Sequence, residues 1–599
     1  MKKKRISTDK VIKYYSKINI IFNFLTICFI IPYFFYHLSI ILYDIFGIVI
    51  LISWFSNLIL SFLIERYLIE DISNNLEIIK KSFRFLIFFS YSILFIIISI
   101  TISNLIIEGL SFIIGITISY ILQIVGFLII SILGIELSYI VIKRMKNKES
   151  KQFKKKPLDI YSNRKKCVKL ICFIVNTLGI YFAIVLLIPL EFLSPEIAGI
   201  IPQFALFLIF IFIINTLIIL KLTPKNRAEY GKSIFSFLNI KTLSKRKLFR
   251  KSIIVIGFSL SFIFSLPLLS TPYSIMYAEN EFKEVYGEDW RDLIPSSASQ
   301  YFLQSQFNFY NYLMGIPHKD CNIKRNIQYY ERNSTKLFFD VFYPKEAGEN
   351  LPGNNSIIIK IHGGSWRVGD KGIGNVPIIS KYLANQGYVV FDIQYGLMIY
   401  EGGGIDFTPE YVRGNFTLHD MVYQIGYFTK QLETIYASQF NGNIDSVFIM
   451  GGSSGGHLAS VIGLGYDDSY FSGNFSTAIN LKGIISLYPP NSAYNYFTKH
   501  DFVNLIPGDP ITNPIAFEKF TPSNLVSLND PPVLIYQGTQ DRLVPPINSE
   551  QIEKALEDIG NDCIRLIFPF ATHCSDVITN NNFAQVWLYY LERFLYLNR

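Results

Sequence analysis

The chain has 599 residues, of which 50% are hydrophobic and 17% are charged, compared with about 25% charged residues in an ordinary soluble protein. Its mean hydropathy of +0.32 argues against a wholly soluble protein. The net charge of +9 divides unevenly, because residues 1–279 carry 33 Lys and Arg against 14 Asp and Glu, whereas residues 280–599 carry 22 against 32. A nucleic-acid-binding protein gathers basic residues on its folded domain, so no nucleic-acid partner is expected.

Long apolar stretches dominate residues 1–279. A helix needs roughly 20 apolar residues to cross the hydrocarbon core of a membrane. We therefore predict a multi-pass transmembrane domain of about seven helices over residues 1–279, with spans near 19–41, 45–64, 85–107, 112–138, 167–189, 199–220 and 252–276. The first stretch is too long for a secretory signal peptide, and another follows it at once.

The loops between these stretches alternate in charge, and Lys and Arg accumulate on the cytoplasmic side of a membrane. The N-terminal segment and every second loop are basic, whereas the connections near Asp44, Glu108 and 191–196 contain no Lys or Arg. This pattern predicts a cytoplasmic N-terminus. An odd number of spans then places residues 280–599 outside the cytoplasm, at the cell exterior or in a lumen.

Glu136 is the acidic residue nearest to membrane depth in this region. An intramembrane acid is a candidate for function, but a single glutamate near a helix end does not define a transporter. We interpret the bundle as an anchor or platform.

From residue 321 onward, short β-branched runs alternate with helical patterns, which is typical of an α/β domain with a mostly parallel sheet. We predict a linker at 280–320, the α/β domain at 321–599, and a cap near 491–530 over the sheet edge where ligands bind in such folds. The predicted strands are 326–331, 337–343, 356–361, 388–395, 446–450, 481–488, 532–537 and 563–568, and the predicted helices lie near 373–386, 418–438, 455–464, 548–559 and 583–596.

The predicted strand 446–450 runs directly into G-G-S-S-G-G-H at residues 451–457, just before a predicted helix. A nucleophilic serine on a sharp strand-to-helix turn needs small residues on both sides, in the pattern G-x-S-x-G. Ser453 and Ser454 both fit this pattern. We favour Ser453, because its first glycine directly follows the strand and the Ser454 amide would then donate from the start of the helix. His457 is expected to pack within that helix.

A second glycine motif, H-G-G-S-W at residues 362–366, follows the predicted strand 356–361. Paired glycines let backbone amides approach the negative oxygen that develops in acyl transfer. The amides of Gly363 and Gly364, together with that of Ser454, are therefore the candidate oxyanion hole.

Two further polar residues follow the last two predicted strands: Asp541 and His573. A histidine that takes the proton of the serine, and a carboxylate that orients the histidine, complete a catalytic triad. The order Ser453, Asp541, His573 is the one expected for a serine hydrolase on a parallel α/β sheet. Asp530 and Asp562 are poorer candidates, because one precedes a strand and the other ends a helix.

These motifs resemble the α/β-hydrolase superfamily, in particular carboxylesterases similar to hormone-sensitive lipase. The tryptophan after the glycines at 362–367 is closest to feruloyl-esterase-like and kynurenine-formamidase-like enzymes, and residues 451–459 resemble the family's nucleophile signature. The resemblance covers residues 321–599 and implies an α/β-hydrolase catalytic domain there. Two residues depart from the pattern, since Ser365 replaces the third glycine of the oxyanion loop and Gly452 replaces the usual aspartate before the nucleophile.

We therefore predict a membrane-anchored serine hydrolase that cleaves small-molecule or lipid-like carboxylic esters through an acyl-enzyme, with no metal and no organic cofactor. The small cap favours short to medium acyl chains. Two alternatives stay open: amide or formamide hydrolysis by the same residues, and a membrane receptor or transporter whose hydrolase-like domain only binds a ligand. Six cysteines are too few for a disulfide scaffold, although Cys563 and Cys574 could pair in an oxidising compartment. Protein partners are unknown.

Overall fold

Long helices fill the N-terminal part of the chain. The computed structural model describes residues 2–33, 40–67, 72–105, 112–146, 162–188, 201–223, 245–317, 319–332, 335–372, 376–399, 408–499 and 502–599. The first helices are α1 Lys2–Tyr33, α2 Ile40–Tyr67, α3 Ile72–Leu105, α4 Phe112–Lys146, α5 Ser162–Leu187, α6 Ala205–Leu222, α7 Lys245–Leu269 and α8 Thr271–Tyr286. A helix pairs its backbone polar groups internally, as a hydrocarbon environment requires.

Six of the described helical segments are long and apolar enough to cross a membrane: Ile45–Arg66, Glu77–Ile102, Ile121–Met145, Cys167–Leu187, Ile201–Leu222 and Lys247–Tyr286. They are compatible with a membrane-spanning region, but the predicted count of about seven spans is not confirmed. The predicted span near 19–41 includes residues 34–39, which lie outside the described residues, and its described part belongs to α1.

Buried amide side chains join α1, α2 and α4. Asn19 Nδ2 donates to Asn57 Oδ1 at 2.8 Å and to Ser138 Oγ at 2.9 Å. Asn23 Nδ2 donates to the same Asn57 oxygen at 3.0 Å. Gly134 leaves room for this cluster, because a Cβ there would lie 2.3 Å from Asn57 Oδ1. Hydrogen bonds of this kind hold helices together where no water competes.

Glu136 of α4 is paired with the neighbouring helix. Its Oε1 lies 2.5 Å from Lys81 Nζ of α3, and 45% and 36% of the two side chains are exposed. Glu136 is thus a paired surface carboxylate rather than part of a buried cluster.

The C-terminal part is built on a sheet of eight strands among the described residues, in the order β1-β2-β4-β3-β7-β8-β9-β10. The strands are β1 Asn322–Arg332, β2 Thr335–Tyr343, β3 Ser356–Ile361, β4 Val389–Ile393, β5 Leu397–Met398, β6 Arg413–Gly414, β7 Asn443–Gly452, β8 Leu481–Leu487, β9 Val533–Gly538 and β10 Cys563–Phe568. β2 is antiparallel to both β1 and β4, and the other neighbours in this sheet are parallel. β5 and β6 pair separately. The predicted mostly parallel sheet is confirmed.

Helices cover both faces of the sheet. The remaining long helices are α9 Pro377–Asn385, α10 Leu418–Gln431, α11 Ser454–Leu464, α12 Ile547–Glu557 and α13 Asn582–Asn598. α10, α11 and α12 pack on one face with Ile357 and Ile359, whereas α8, α9 and α13 pack on the other face with Ile358. Successive strand side chains point to opposite faces, so the three consecutive isoleucines of β3 supply both cores. Each such buried side chain contributes roughly 1.5–3 kcal/mol.

Element bounds follow the predictions most closely where the sequence is uniformly apolar. The predicted strands 356–361 and 563–568 coincide with β3 and β10. β1 begins at Asn322, four residues before its predicted start at 326. The left-handed φ of 56° at Asn326 and the register shift beside it interrupt the alternation of side chains that marks a strand.

The segment predicted as a linker, residues 280–320, contacts both parts of the molecule. α8 extends through Tyr286 and packs beside β10, where Glu281 Oε2 accepts from the Arg565 amide at 3.2 Å. A short helix, Phe309–Met314, packs instead among the apolar helices of the N-terminal part, and the hydroxyl of its Tyr312 accepts from the Leu206 amide at 3.2 Å.

Candidate active site

Ser453 lies on a strained turn between β7 and α11. Its φ of 55° and ψ of −124° are unusual for a residue with a side chain, and such a conformation costs on the order of 1–3 kcal/mol. The flanking glycines make the turn possible. A Cβ on Gly451 would lie 2.2 Å from the Gly455 carbonyl oxygen, and a Cβ on Gly455 would lie 2.2 Å from that of Ile361.

The structure brings the three predicted catalytic side chains together. His573 Nε2 lies 2.9 Å from Ser453 Oγ, and His573 Nδ1 lies 2.7 Å from Asp541 Oδ2. Asp541 follows β9 by three residues and His573 follows β10 by five. These neighbouring parallel strands deliver both side chains to the same edge of the sheet.

The carboxylate of Asp541 is held in place by the turn that follows it. Its Oδ1 accepts from the amides of Leu543 at 3.0 Å and Val544 at 2.9 Å. Its Oδ2 is then left to accept from His573 Nδ1–H, which fixes the orientation of the ring. Burial alone would lower the pKa of His573, but the Asp541 carboxylate and, after it, the neighbouring Cys574 more than offset this and raise the pKa above its usual range.

The structure also distinguishes the two serines of the G-G-S-S-G-G motif. Ser454 is the first residue of α11 and is fully buried. Ser453, by contrast, directs its hydroxyl to His573. Of the two possible registers, the geometry therefore fits Ser453 as the nucleophile.

The backbone of the H-G-G-S-W motif lies against the nucleophile turn. A Cβ on Gly363 would be 2.8 Å from the Gly452 carbonyl oxygen and 3.4 Å from Ser453 Cβ. Gly364 has a φ of 124°, a conformation that favours glycine. The Ser454 amide begins α11 on the other side of Ser453, and the first amides of a helix lack intrahelical acceptors. The Gly363 backbone thus lies against Ser453, and the Ser454 amide follows it directly in the chain.

His362 and His457 have structural contacts rather than a place in the triad. His362 Nδ1–H donates to the Gly363 carbonyl at 2.8 Å, and its ring stacks on Tyr395 with centroids 4.4 Å apart. His457 Nε2–H donates to the Phe520 carbonyl at 2.9 Å. Burial lowers the pKa of His362, and it lowers that of His457 to about 4, so both rings are neutral at pH 7.

Aromatic side chains of the predicted cap, residues 491–530, pack against the oxyanion loop. The Trp366 ring meets Phe497 and Phe502 edge-on, with centroids 5.0 and 5.8 Å apart. The Arg367 guanidinium lies over the Phe502 ring at 5.3 Å. These contacts form an aromatic wall beside the H-G-G-S-W motif.

Two polar residues beside His573 were missed by the sequence analysis. The Tyr488 ring lies 4.4 Å from the His573 ring between centroids, and the Tyr488 hydroxyl donates to Asp576 Oδ1 at 2.9 Å. Burial raises the pKa of the Asp576 carboxyl. The position of Tyr488 directly after β8 is visible in the sequence, but its pairing with a residue 88 positions away is not.

Among the described residues of this part, the cysteines form no disulfide and the acidic side chains form no metal-binding cluster. Cys563 and Cys574 are free thiols, so the disulfide that the sequence left open is not formed. Within the part of the chain that the structure describes, no three His, Cys, Asp or Glu side chains are grouped so as to hold a metal ion.

Part of the chain matches a known protein family. Residues 339–556 match the BD-FAE family model. The matched segment contains Ser453 and Asp541 and ends before His573. The predicted resemblance to esterases of the α/β-hydrolase fold is confirmed for the C-terminal part of the chain.

The chain is also similar to curated proteins and to solved structures. The chain is 23% identical to Esterase LipQ of Mycobacterium tuberculosis over 49% of this chain and 68% of that protein. It is 22% identical to isoprenylcysteine alpha-carbonyl methylesterase ICME of Arabidopsis thaliana over 42% of this chain and 56% of that protein. Esterase B of Lactobacillus rhamnosis superposes on 47% of this chain and 88% of its own, with a TM-score of 0.37 and 18% identity. The prediction of a carboxylic ester hydrolase as the class of enzyme is confirmed by the similarity to these curated esterases.

Proposed function

We propose that this protein is a membrane-anchored serine hydrolase that cleaves carboxylic esters with Ser453, His573 and Asp541. The observation that carries the proposal is the continuous hydrogen-bonded chain from Ser453 Oγ through His573 to Asp541, with separations of 2.9 and 2.7 Å. The match of residues 339–556 to the BD-FAE family model and the similarity to curated esterases support the same chemistry.

In the resting site, Asp541 accepts from His573 Nδ1–H, so Nε2 is free to accept the proton of Ser453. The Ser453 oxygen attacks the ester carbonyl as His573 takes that proton. The amides of Gly363, Gly364 and Ser454 then stabilise the negative oxygen, and loss of one such donor costs about 3–4 kcal/mol in the barrier.

His573 next returns the proton to the departing alcohol, which leaves Ser453 acylated. Water attacks the acyl-enzyme with His573 again as the base, and the acid is released. Every proton that this cycle moves passes through His573 Nε2. The proposed cycle uses side chains and backbone amides of this chain and one water molecule.

We also propose the arrangement in the membrane and in the chain. Residues 1–279 form the membrane domain, 280–320 the linker and 321–599 the catalytic domain, with the N-terminus in the cytoplasm and the catalytic domain outside it. The alternation of basic and non-basic loops supports this topology, which counts the predicted span near 19–41 as a seventh crossing beside the six apolar segments.

Labelling of the full-length protein with a fluorophosphonate probe tests the chemistry. We expect a covalent adduct and hydrolysis of p-nitrophenyl butyrate, both lost in Ser453→Ala. Ser472→Ala replaces an exposed serine in a turn after α11 and serves as the control. An adduct that persists in Ser453→Ala, or a wild-type protein that neither labels nor hydrolyses the ester, would overturn the proposal.

A further inference from the structure

The loop between β10 and α13, residues 569–581, carries His573 and lies against the membrane helices. We refer to it as the histidine loop. Ser270 Oγ donates to the Pro569 carbonyl at 3.2 Å, and Asn582 Nδ2, just after the loop, donates to the Pro267 carbonyl at 3.0 Å. The Phe570 ring packs on an apolar cluster of the bundle, formed by Ala183, Leu186, Phe212, Leu260 and Phe264.

The loop that carries Asp541 is attached to the bundle as well. The Arg542 guanidinium donates to the Val185 carbonyl and, at 2.6 Å, to the Ile188 carbonyl. Both carbonyls lie at the C-terminal end of α5, where backbone oxygens lack intrahelical donors. Two of the three triad residues therefore sit on loops that hydrogen-bond to membrane helices.

Gln203, in the first turn of the apolar segment Ile201–Leu222, makes three hydrogen bonds to the histidine loop through its side-chain amide. Its Nε2 donates to the Cys574 carbonyl at 3.1 Å. Its Oε1 accepts from the Ile578 amide at 3.0 Å and from Asn581 Nδ2 at 3.1 Å. Gln203 is 1% exposed, so water does not compete for these hydrogen bonds.

The bond to Cys574 acts on the peptide unit between Cys574 and Ser575, one residue beyond His573. Cys574 has a left-handed φ of 60°, a conformation that costs about 1–3 kcal/mol in a residue with a side chain and persists only when its surroundings hold it. Asn581, the second partner of Gln203, also caps α13 by accepting from the Ala584 amide at 2.7 Å. The Gln203 side chain therefore hydrogen-bonds both to Cys574, next to His573, and to Asn581, at the end of the histidine loop.

From these contacts we infer that Gln203 is a positioning residue for His573, so that the membrane bundle forms part of the catalytic structure. The inference rests on the proposed function of His573 as the catalytic base. Without Gln203, the Cys574 backbone relaxes and His573 Nε2 moves out of line with Ser453. A misplacement of about 1 Å costs on the order of 10²-fold in rate.

The test uses the full-length protein in membrane nanodiscs. Gln203→Met keeps the size of the side chain and removes all three hydrogen bonds. We expect kcat for p-nitrophenyl butyrate to fall by at least about tenfold, with KM within about twofold. The control is Asn215→Leu, which removes another buried amide of the same helix, one that bonds to Asn176 Oδ1 and the Cys172 carbonyl in α5.

A double-mutant cycle separates positioning from a general loss of structure. In a His573→Ala background, which retains residual activity from the oxyanion hole, Gln203→Met should cause no further loss. Wild-type kcat in Gln203→Met, an equal loss in Asn215→Leu, or an undiminished effect of Gln203→Met without His573 would each overturn the inference. Failure of Ser453→Ala to abolish labelling would instead overturn the proposed function, so the two failures are distinguishable.

Discussion

At the scale of single residues, His573 determines how activity depends on pH. Only the neutral ring accepts the proton of Ser453, so activity is present above the pKa of His573 and is lost as the pH falls through it. Asp541 raises that pKa although burial opposes it. We expect the acid limb of kcat/KM to lie above pH 6.5, the usual value for histidine.

Asp541→Asn tests the cause of this shift. Loss of the carboxylate should move the acid limb to lower pH and reduce kcat by about 10⁴-fold. The control is Asp530→Asn, because Asp530 accepts from the Ser527 amide and hydroxyl in a turn. Full pH–rate profiles of the three proteins decide the question, and an unshifted limb in Asp541→Asn would contradict the assignment.

The candidate catalytic residues could be predicted because each follows a strand, Ser453 lies in a recognisable glycine motif, and the three come in the order expected for the fold. Ser453, Asp541 and His573 are separated by up to 120 residues, yet parallel strands end at one edge of the sheet. Gln203 could not be predicted in this way. In the sequence it is one polar residue in the apolar run 199–220, and its partner Cys574 lies 371 positions away. Only the docking of the two parts brings them together.

At the scale of elements, the cap is expected to limit the length of the acyl chain. Phe497 and Phe502 pack edge-on against Trp366 beside the oxyanion loop. We therefore expect acetyl to hexanoyl esters to be cleaved faster than dodecanoyl or palmitoyl esters. Phe497→Ala should increase the ratio of octanoyl to butyryl kcat/KM by about tenfold or more, since each methylene in an apolar pocket is worth roughly 1–3 kcal/mol.

Ile511→Ala is the matched control, because Ile511 belongs to the same segment and is 90% exposed. Initial rates on p-nitrophenyl esters of graded length give the comparison. A wild-type preference for palmitoyl esters, or the same selectivity in Phe497→Ala, would argue against the cap as the limit.

At the scale of the whole molecule, the charge of the loops predicts where the catalytic domain works. Protease added to sealed, right-side-out cells should digest a C-terminally tagged domain if it faces the exterior and spare it if it faces a lumen. In either case the basic loop around residues 147–161 should be cut only after the membrane is permeabilised. Cleavage of the C-terminal domain from the cytoplasmic side alone would contradict this topology and leave the chemistry unaffected.

The hydrogen bonds of Gln203 join a membrane helix to the loop of a catalytic base, and this has a thermodynamic consequence. A ligand or lipid that binds the bundle more tightly in one position of α6 changes the free energy of the histidine loop in that position. Linkage is reciprocal, so an ester that binds the site better in that position must strengthen the binding of the lipid by the same factor. Under the proposed role of Gln203, the membrane composition around the bundle is an effector of the affinity for the ester, and the Gln203 amide is one of the side chains that transmit it.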